Sequence, residues 1–148
     1  MAKYSIKTSR TLAANATIGL YGATATPRRV KLYEFTVGFG AAADNAFDMV
    51  WQRFTVAGTS TAVTPQPLDP ADAAALTAGG SNATIEPTYT ANQFQFSLDL
   101  NQRATFRWVA PQYGEIVTPA TNANGLGFYA TAAPAAPTVV LDIKIEEQ

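Results

Sequence analysis

The chain has 148 residues, of which 47% are hydrophobic and only 14% charged, with a formal net charge of −1 and a pI near 5.3. That length fits one domain able to bury a core without metal or disulfide. Eight Phe, six Tyr and two Trp argue against disorder, and the charge balance excludes a generally basic nucleic-acid binder. There is no Cys and no His. Disulfide frameworks, zinc-thiolate sites and thiol nucleophiles are therefore absent, and most hydrolytic triads lack their base. No run approaches the roughly 20 apolar residues of a membrane span. Nor does Met1–Lys7 have a signal-type apolar stretch. The chain reads as soluble, made in a cytoplasm, with no cofactor, no metal, no membrane partner and no nucleic acid.

In chain order, short alternating segments dominate, which is a β signature. Lys3–Thr8 alternates Tyr4, Ile6 and Thr8 with Lys3, Ser5 and Lys7, giving one apolar and one cationic face. Ala16–Tyr21 is a shorter candidate. Tyr33, Phe35, Val37 and Phe39 share a parity. So do Phe47, Met49 and Trp51, but Phe54 and Val56 take the opposite one, so the switch at Gln52–Arg53 predicts a β-bulge or a strand changing sheets.

From Gly58 to Asn92 the chain is rich in Thr, Ala, Pro and Gly, with short strands at 60–64 and 84–88. Within it Asp69 as N-cap, Pro70 at N1 and Gly79 as terminator predict one short helix near 70–78. So long a segment predicts a functional loop or an arm ordered by neighbouring copies. Phe94, Phe96, Leu98 and Leu100 then form the cleanest strand, half-buried with one wet face. Candidates follow at 104–108, 116–117 and 127–130, and Val139, Leu141, Ile143 and Ile145 close the chain. Many short strands separated by turn residues predict an all-β fold: an antiparallel β-sandwich, jelly-roll-like, in a single domain spanning 1–148.

The motifs carry little chemistry. Gly125-Leu-Gly127-Phe-Tyr-Ala130 fits a dinucleotide fingerprint, but Pro134 and Pro137 forbid the helix it needs, so it reads as a turn entering a strand. Asp44 with Asp48, and Asp69 with Asp72, read as turn and cap residues, with a glycoside hydrolase as the functional alternative. Ser5, Ser9 and Lys7 could form a Ser–Lys pair, or belong to a basic segment. Gln52-Arg53-Phe-Thr55 and Gln102-Arg103-Ala-Thr105 share Q-R-x-T, and Arg107 follows. These arginines read either as solvated side chains on an exposed face or as an intersubunit or intersheet polar network.

Charge is unevenly placed. Lys3, Lys7, Arg10, Arg28, Arg29 and Lys31 all precede residue 34, and no acid does. A basic N-terminal segment over 1–10 suggests either an arm docking on an acidic partner or an edge strand of the domain's own sheet.

Val30–Gly38, Trp51–Thr59, Thr64-Pro-Gln-Pro-Leu-Asp69, Asn101–Pro111 and Asn124–Phe128 resemble small structural proteins encoded in the head regions of tailed bacteriophages and prophages. The resemblance to these capsid decoration, or cement, proteins spans roughly residues 28–130. It implies a β-rich virion protein, often trimeric, on the outside of an icosahedral shell, bracing it against internal DNA pressure. The expected partners are then other copies of the chain, a homotrimer being favoured, and the major capsid protein. The candidate contact residues are Lys3, Lys7, Arg10, Arg28, Arg29, Arg53, Arg103 and Arg107, with no catalytic residue. The alternative function is a carbohydrate-binding β-sandwich module using Trp51, Trp108, Tyr113 and Tyr129 as stacking platforms.

Overall fold

The computed structural model describes residues 1–40 and 43–148. They form twelve β-strands: β1 (Lys3–Thr11), β2 (Thr17–Gly22), β3 (Val30–Phe39), β4 (Ala46–Val56), β5 (Thr59–Val63), β6 (Gln66–Pro67), β7 (Ala78–Ile85), β8 (Thr88–Asn101), β9 (Phe106–Val109), β10 (Ile116–Thr118), β11 (Gly125–Ala130) and β12 (Thr138–Glu147). Two six-stranded sheets result. The first has the order β10-β3-β12-β1-β6, with β9 also on β3; the second has the order β5-β7-β2-β11-β4-β8. Every pairing within them is antiparallel. The two sheets pack as a β-sandwich, and the chain passes back and forth between them.

The alternation read in the sequence sets which face is buried. Tyr4, Ile6 and Thr8 of β1 and Val139, Leu141, Ile143 and Ile145 of β12 all point into the sandwich. A one-residue slip would turn these rows to solvent, so the register is strongly fixed. Phe35 is central. Its ring lies 5.6 Å from Trp51, 5.4 Å from Phe96, 5.6 Å from Trp108 and 5.8 Å from Phe128, which ties both sheets together. Losing such a ring to Ala costs about 3–5 kcal/mol.

The parity switch in β4 is a register break, and it lies against β8. Trp51 faces Phe96, Gln52 faces Phe94 and Phe54 faces Tyr89, so β8 holds the extra residues Thr90–Gln93. Asn92 among them has φ of 60°, in the left-handed region. Against β11, by contrast, β4 is continuous. Phe54 is thereby buried on the outer face of its sheet. There Gly22 and Gly125 leave room for its ring, and Gly127 leaves room for Tyr89.

Three expectations are corrected. The segment from Gly58 to Asn92 is ordered by its own chain: β5 and β7 extend the second sheet beside β2, and β6 pairs with β1. Val56 pairs with Thr88 and Thr59 with Ile85, so two chains cross as a ribbon. The ribbon turns at Gly58, where φ is +68° and a Cβ would strike Ile85 O.

No helix forms near 70–78. Asp69 does cap, since Ala71 N–H donates to Oδ1 at 2.9 Å and Asp72 N–H to Asp69 O at 3.0 Å. One turn is too short to repay helix nucleation, and the next backbone groups are taken by tertiary partners. Ala73 O accepts from Tyr4 Oη, Leu76 O from Thr24 Oγ1, and Thr77 N–H donates to Glu147 Oε1.

The N-terminal segment, finally, is no free arm. β1 pairs with β12 from Lys3 to Thr11 and with β6 on its other side. It is flanked on both sides only at Tyr4 and Ser5; from Ile6 to Thr11 it pairs with β12 alone, so over most of its length it is an edge strand of the domain's own sheet.

Candidate interaction surfaces

The outer face of the first sheet explains the uneven charge. β1 lies against β12, so Lys3 sits across from Glu146, Ser5 from Lys144 and Lys7 from Asp142. Lys3, Lys7 and Lys31 thus stand across from acids of the last ten residues, and Lys31 comes within ion-pair distance of one. Ser5 Oγ donates to Asp142 Oδ1 at 2.9 Å and accepts from Lys144 Nζ at 2.8 Å, and Lys144 Nζ is 2.8 Å from Asp142 Oδ2. Ser5 therefore meets Lys144 and not Lys7. Its proton is directed at a carboxylate, and the group lies on an open sheet face, so it is a cross-strand polar network. Lys31 reaches Glu146 at 4.0 Å, Arg107 Nε donates to Glu34 Oε1 at 2.7 Å, and Lys3 Nζ stands 4.9 Å over the Tyr33 ring. Exposed pairs of this kind contribute about 0–1 kcal/mol each.

Arg10 is a structural clamp. Its Nη1 donates to Thr17 O at 2.8 Å and to Glu86 Oε1 at 3.2 Å, and Glu86 Oε2 accepts the Thr17 N–H at 2.9 Å. This staples the ribbon to the starts of β2 and the end of β1.

The Q-R-x-T repeat places its glutamines inside. Gln52 and Gln102 are buried, and the arginines beside them are not. Gln52 accepts from Tyr129 Oη and donates to Thr90 O at 2.8 Å. Gln102 accepts from Asn45 Nδ2 at 3.2 Å. The three arginines are not one network. Arg53 lies on β4 of the second sheet, Arg107 on β9 of the first, and Arg103 in the exposed turn between β8 and β9.

A different cluster is assembled at one end of the sandwich. Arg29, from the β2–β3 loop, and Arg53 line one open cleft of about 580 Å³ with Val117, Pro119 and Ala120. Arg53 and Pro119 also border an adjoining cleft of about 230 Å³, reaching Thr90, Gln93 and Asn124. Arg28 lines a third cleft with Ala73, Ala74, Leu76 and Glu147. Arg53 Nη2 donates to Gln95 Oε1 at 3.2 Å. Among the described residues no carboxylate lies within ion-pair distance of Arg28, Arg29, Arg53, Arg103 or Lys7.

The four aromatics named as platforms are dispersed. Trp51 is fully buried and Tyr129 nearly so, while Trp108 packs its ring on Phe35. Tyr113 is 88% exposed at the β9–β10 loop, at φ of 64°. The carboxylate pairs are likewise separate. Asp44 accepts from Asn101 Nδ2 at 2.7 Å and Asp48 from Thr131 Oγ1 at 2.7 Å. What the sequence pattern missed is that Asp48 faces Asp99 across β4 and β8. Only strand register reveals that pair, because fifty positions separate its members. Gly125–Ala130 is a strand, as its flanking prolines indicated. No protein-family model matches the chain, and neither does any curated protein or solved structure.

Proposed function

We propose that the chain is a structural virion protein that binds the outer surface of a phage capsid and stabilises the shell by bridging capsomers. The observation that carries this reading is the set of Arg28, Arg29 and Arg53 at one end of the sandwich. They line open clefts, and among the described residues none of them has a carboxylate within ion-pair distance, although Glu147 borders the cleft of Arg28. Cations left unpaired, on a body whose sheet-face charges are mostly paired, suit an acidic partner surface. The strand order supports the same reading. Omitting β5–β7, it is β1-β12-β3-β9/β10 over β2-β11-β4-β8. That is the order of a jelly roll, an architecture used by capsid proteins and also by lectins and cupins. Fold alone does not give function; the arginine end and the resemblance of the sequence blocks select among these uses. The protein then works by association, as a homo-oligomer, a trimer by the resemblance, on the virion surface.

The test is co-sedimentation with empty capsids lacking this protein. Wild-type chain should pellet with them, less so as salt rises through about 0.1 M, where the Debye length falls to about 10 Å. A variant with Arg28, Arg29 and Arg53 all changed to Glu should fold normally and lose most of the binding. Salt-independent binding by that variant would overturn the assignment of the contact. Failure of the wild type to bind any such capsid, with retention on a glycan array, would replace the reading by the carbohydrate-binding one.

A further inference from the structure

We propose that the side of the sandwich bearing β8 and β9 is where a second copy of this chain docks, and that the Asp48–Asp99 carboxylate pair receives an arginine of that copy. This deepens the reading above by assigning its self-association to one surface.

Three observations converge there. First, β8 is an edge strand of 14 residues, and beyond β4 it has no strand partner among the described residues. Natural edges are shielded by Lys, Pro or bulges. Between Thr88 and Asn101 there is no Lys, Arg or Pro; three register shifts interrupt the ladder between Val56 and Trp51, but from Trp51–Phe96 to Ala46–Asn101 it runs without a break. Such an edge is open to β-addition.

Second, three large apolar residues lie exposed among the polar ones along this side. Phe94 is 50% exposed, Val109 51% and Tyr113 88%. Between the sheets, Phe96 and Trp108 are only partly buried, their rings 5.6 Å apart. Exposed aromatics with few charges mark the centre of protein interfaces. At roughly 3.3 Å per residue the edge is about 40 Å long. Across a sandwich about 20 Å wide that gives on the order of 800 Å² per copy, enough for a specific interface.

Third, the charges ask for this partner. Asp48 and Asp99 are both exposed and directly opposite each other, with no cation within ion-pair distance among the described residues. Opposed like charges weaken a strand pair. Among the described residues the chain's own Arg29 and Arg103 likewise have no carboxylate within ion-pair distance. From β8 to β10, Asp99 and Glu115 balance Arg103 and Arg107, so the side is neutral overall. A neutral, aromatic side with one unpaired acid pair is complementary to a body offering spare arginines. It is ill matched to a uniformly acidic shell.

Two variants test this by sedimentation at tens of micromolar. Phe94→Lys places a cation on the edge. Asp99→Lys both removes the acceptor and gives Asp48 a cross-strand partner. The proposal expects both to raise the dissociation constant of the oligomer at least tenfold. It also expects Asp99→Lys to leave the melting temperature of the dissociated subunit unchanged or higher, a combination that a folding defect would not give. In hydrogen exchange, amides from 94 to 100 should be protected in the oligomer and exchange faster in either variant. A wild-type chain that stays monomeric, or variants that keep the wild-type mass and protection, would overturn the inference. Capsid co-sedimentation separates the two readings. A monomeric wild type that still binds capsids overturns only this interface. An oligomer disrupted by both variants that never binds capsids upholds the interface and overturns the capsid function.

Discussion

Gly127 shows how one missing side chain organises the outer face of the second sheet. A Cβ there would fall inside the contact distance of the Tyr89 hydroxyl and lie 3.0 Å from two of its ring carbons. Without it, the Tyr89 ring settles over the strand, 4.8 Å from the Tyr129 ring, and its hydroxyl bonds Thr17 Oγ1 at 2.7 Å. Gly127→Ala should therefore cost about 1–3 kcal/mol, the usual price of overpacking. Tyr89→Phe alone should cost about 0.5–1.5 kcal/mol for the lost hydrogen bond. Because the hydroxyl is the nearest obstacle, the double variant should be more stable than the sum of the two losses implies, by more than about 0.5 kcal/mol. Urea denaturation of the four proteins measures this; strict additivity would mean the ring moves aside freely.

At the scale of elements, the ribbon formed by β4–β5 and β7–β8 depends on the Glu86 clamp. Glu86 ties the ribbon to both Arg10 and the backbone of Thr17. Glu86→Ala leaves a backbone N–H and a guanidinium without their acceptor, and should cost about 1–2 kcal/mol. Glu86→Gln keeps an oxygen for the N–H and should recover part of that loss. Comparable melting temperatures for Glu86→Ala and wild type would show that water replaces the carboxylate at no cost. The pairing of β1 with β12 bears on experiments as well. Removing residues 2–10 would strip β12 of one of its two partners and take Tyr4 and Ile6 out of the core, so loss of capsid binding by such a truncation would report lost folding as well as lost contact. Substitutions at Arg28, Arg29 and Arg53 avoid that ambiguity.

For the whole molecule, buried tyrosines set the alkaline limit. Burial raises the pKa of Tyr21 and Tyr89 far above the ordinary 10.0, although the charge of Arg53 partly offsets it at Tyr21 and the Thr17 bond at Tyr89. Burial also raises Tyr4 and Tyr129. With folded values above unfolded ones, the native state keeps protons that the unfolded state releases. This contribution is complete below about pH 10 and is lost as pH rises beyond it. The urea midpoint should be level from about pH 8 to about pH 10 on this account and fall steeply above, with tyrosinate absorbance appearing as unfolding proceeds. Tyr21→Phe should soften the fall. It should cost little at neutral pH, because the Tyr21 hydroxyl has no hydrogen-bond partner among the described residues. A midpoint indifferent to alkaline pH would contradict the burial of these groups.

The sequence by itself determined the class of fold, the rows of residues that face the core except at Phe94, which lies at the register shift and is half exposed, and the break in pattern at Gln52–Arg53. Those are local, since side-chain alternation is a property of a strand before it has partners. It also determined the prolines and glycines that keep 125–130 a strand. It misled at 70–78, where a sound N-cap starts a turn whose later backbone groups are claimed by Tyr4, Thr24 and Glu147, all distant in the chain. Tertiary structure alone decided which charges meet. The basic strand β1 looked free of acids because its acids lie on β12, some 135 residues away by the Lys7–Asp142 pairing. Arg29 and Arg53 come together, and Asp48 and Asp99 oppose each other, only once the strand order is fixed. Electrostatic interactions fall off with distance in space, and in a sandwich whose first strand pairs with its last, position along the chain says little about that distance.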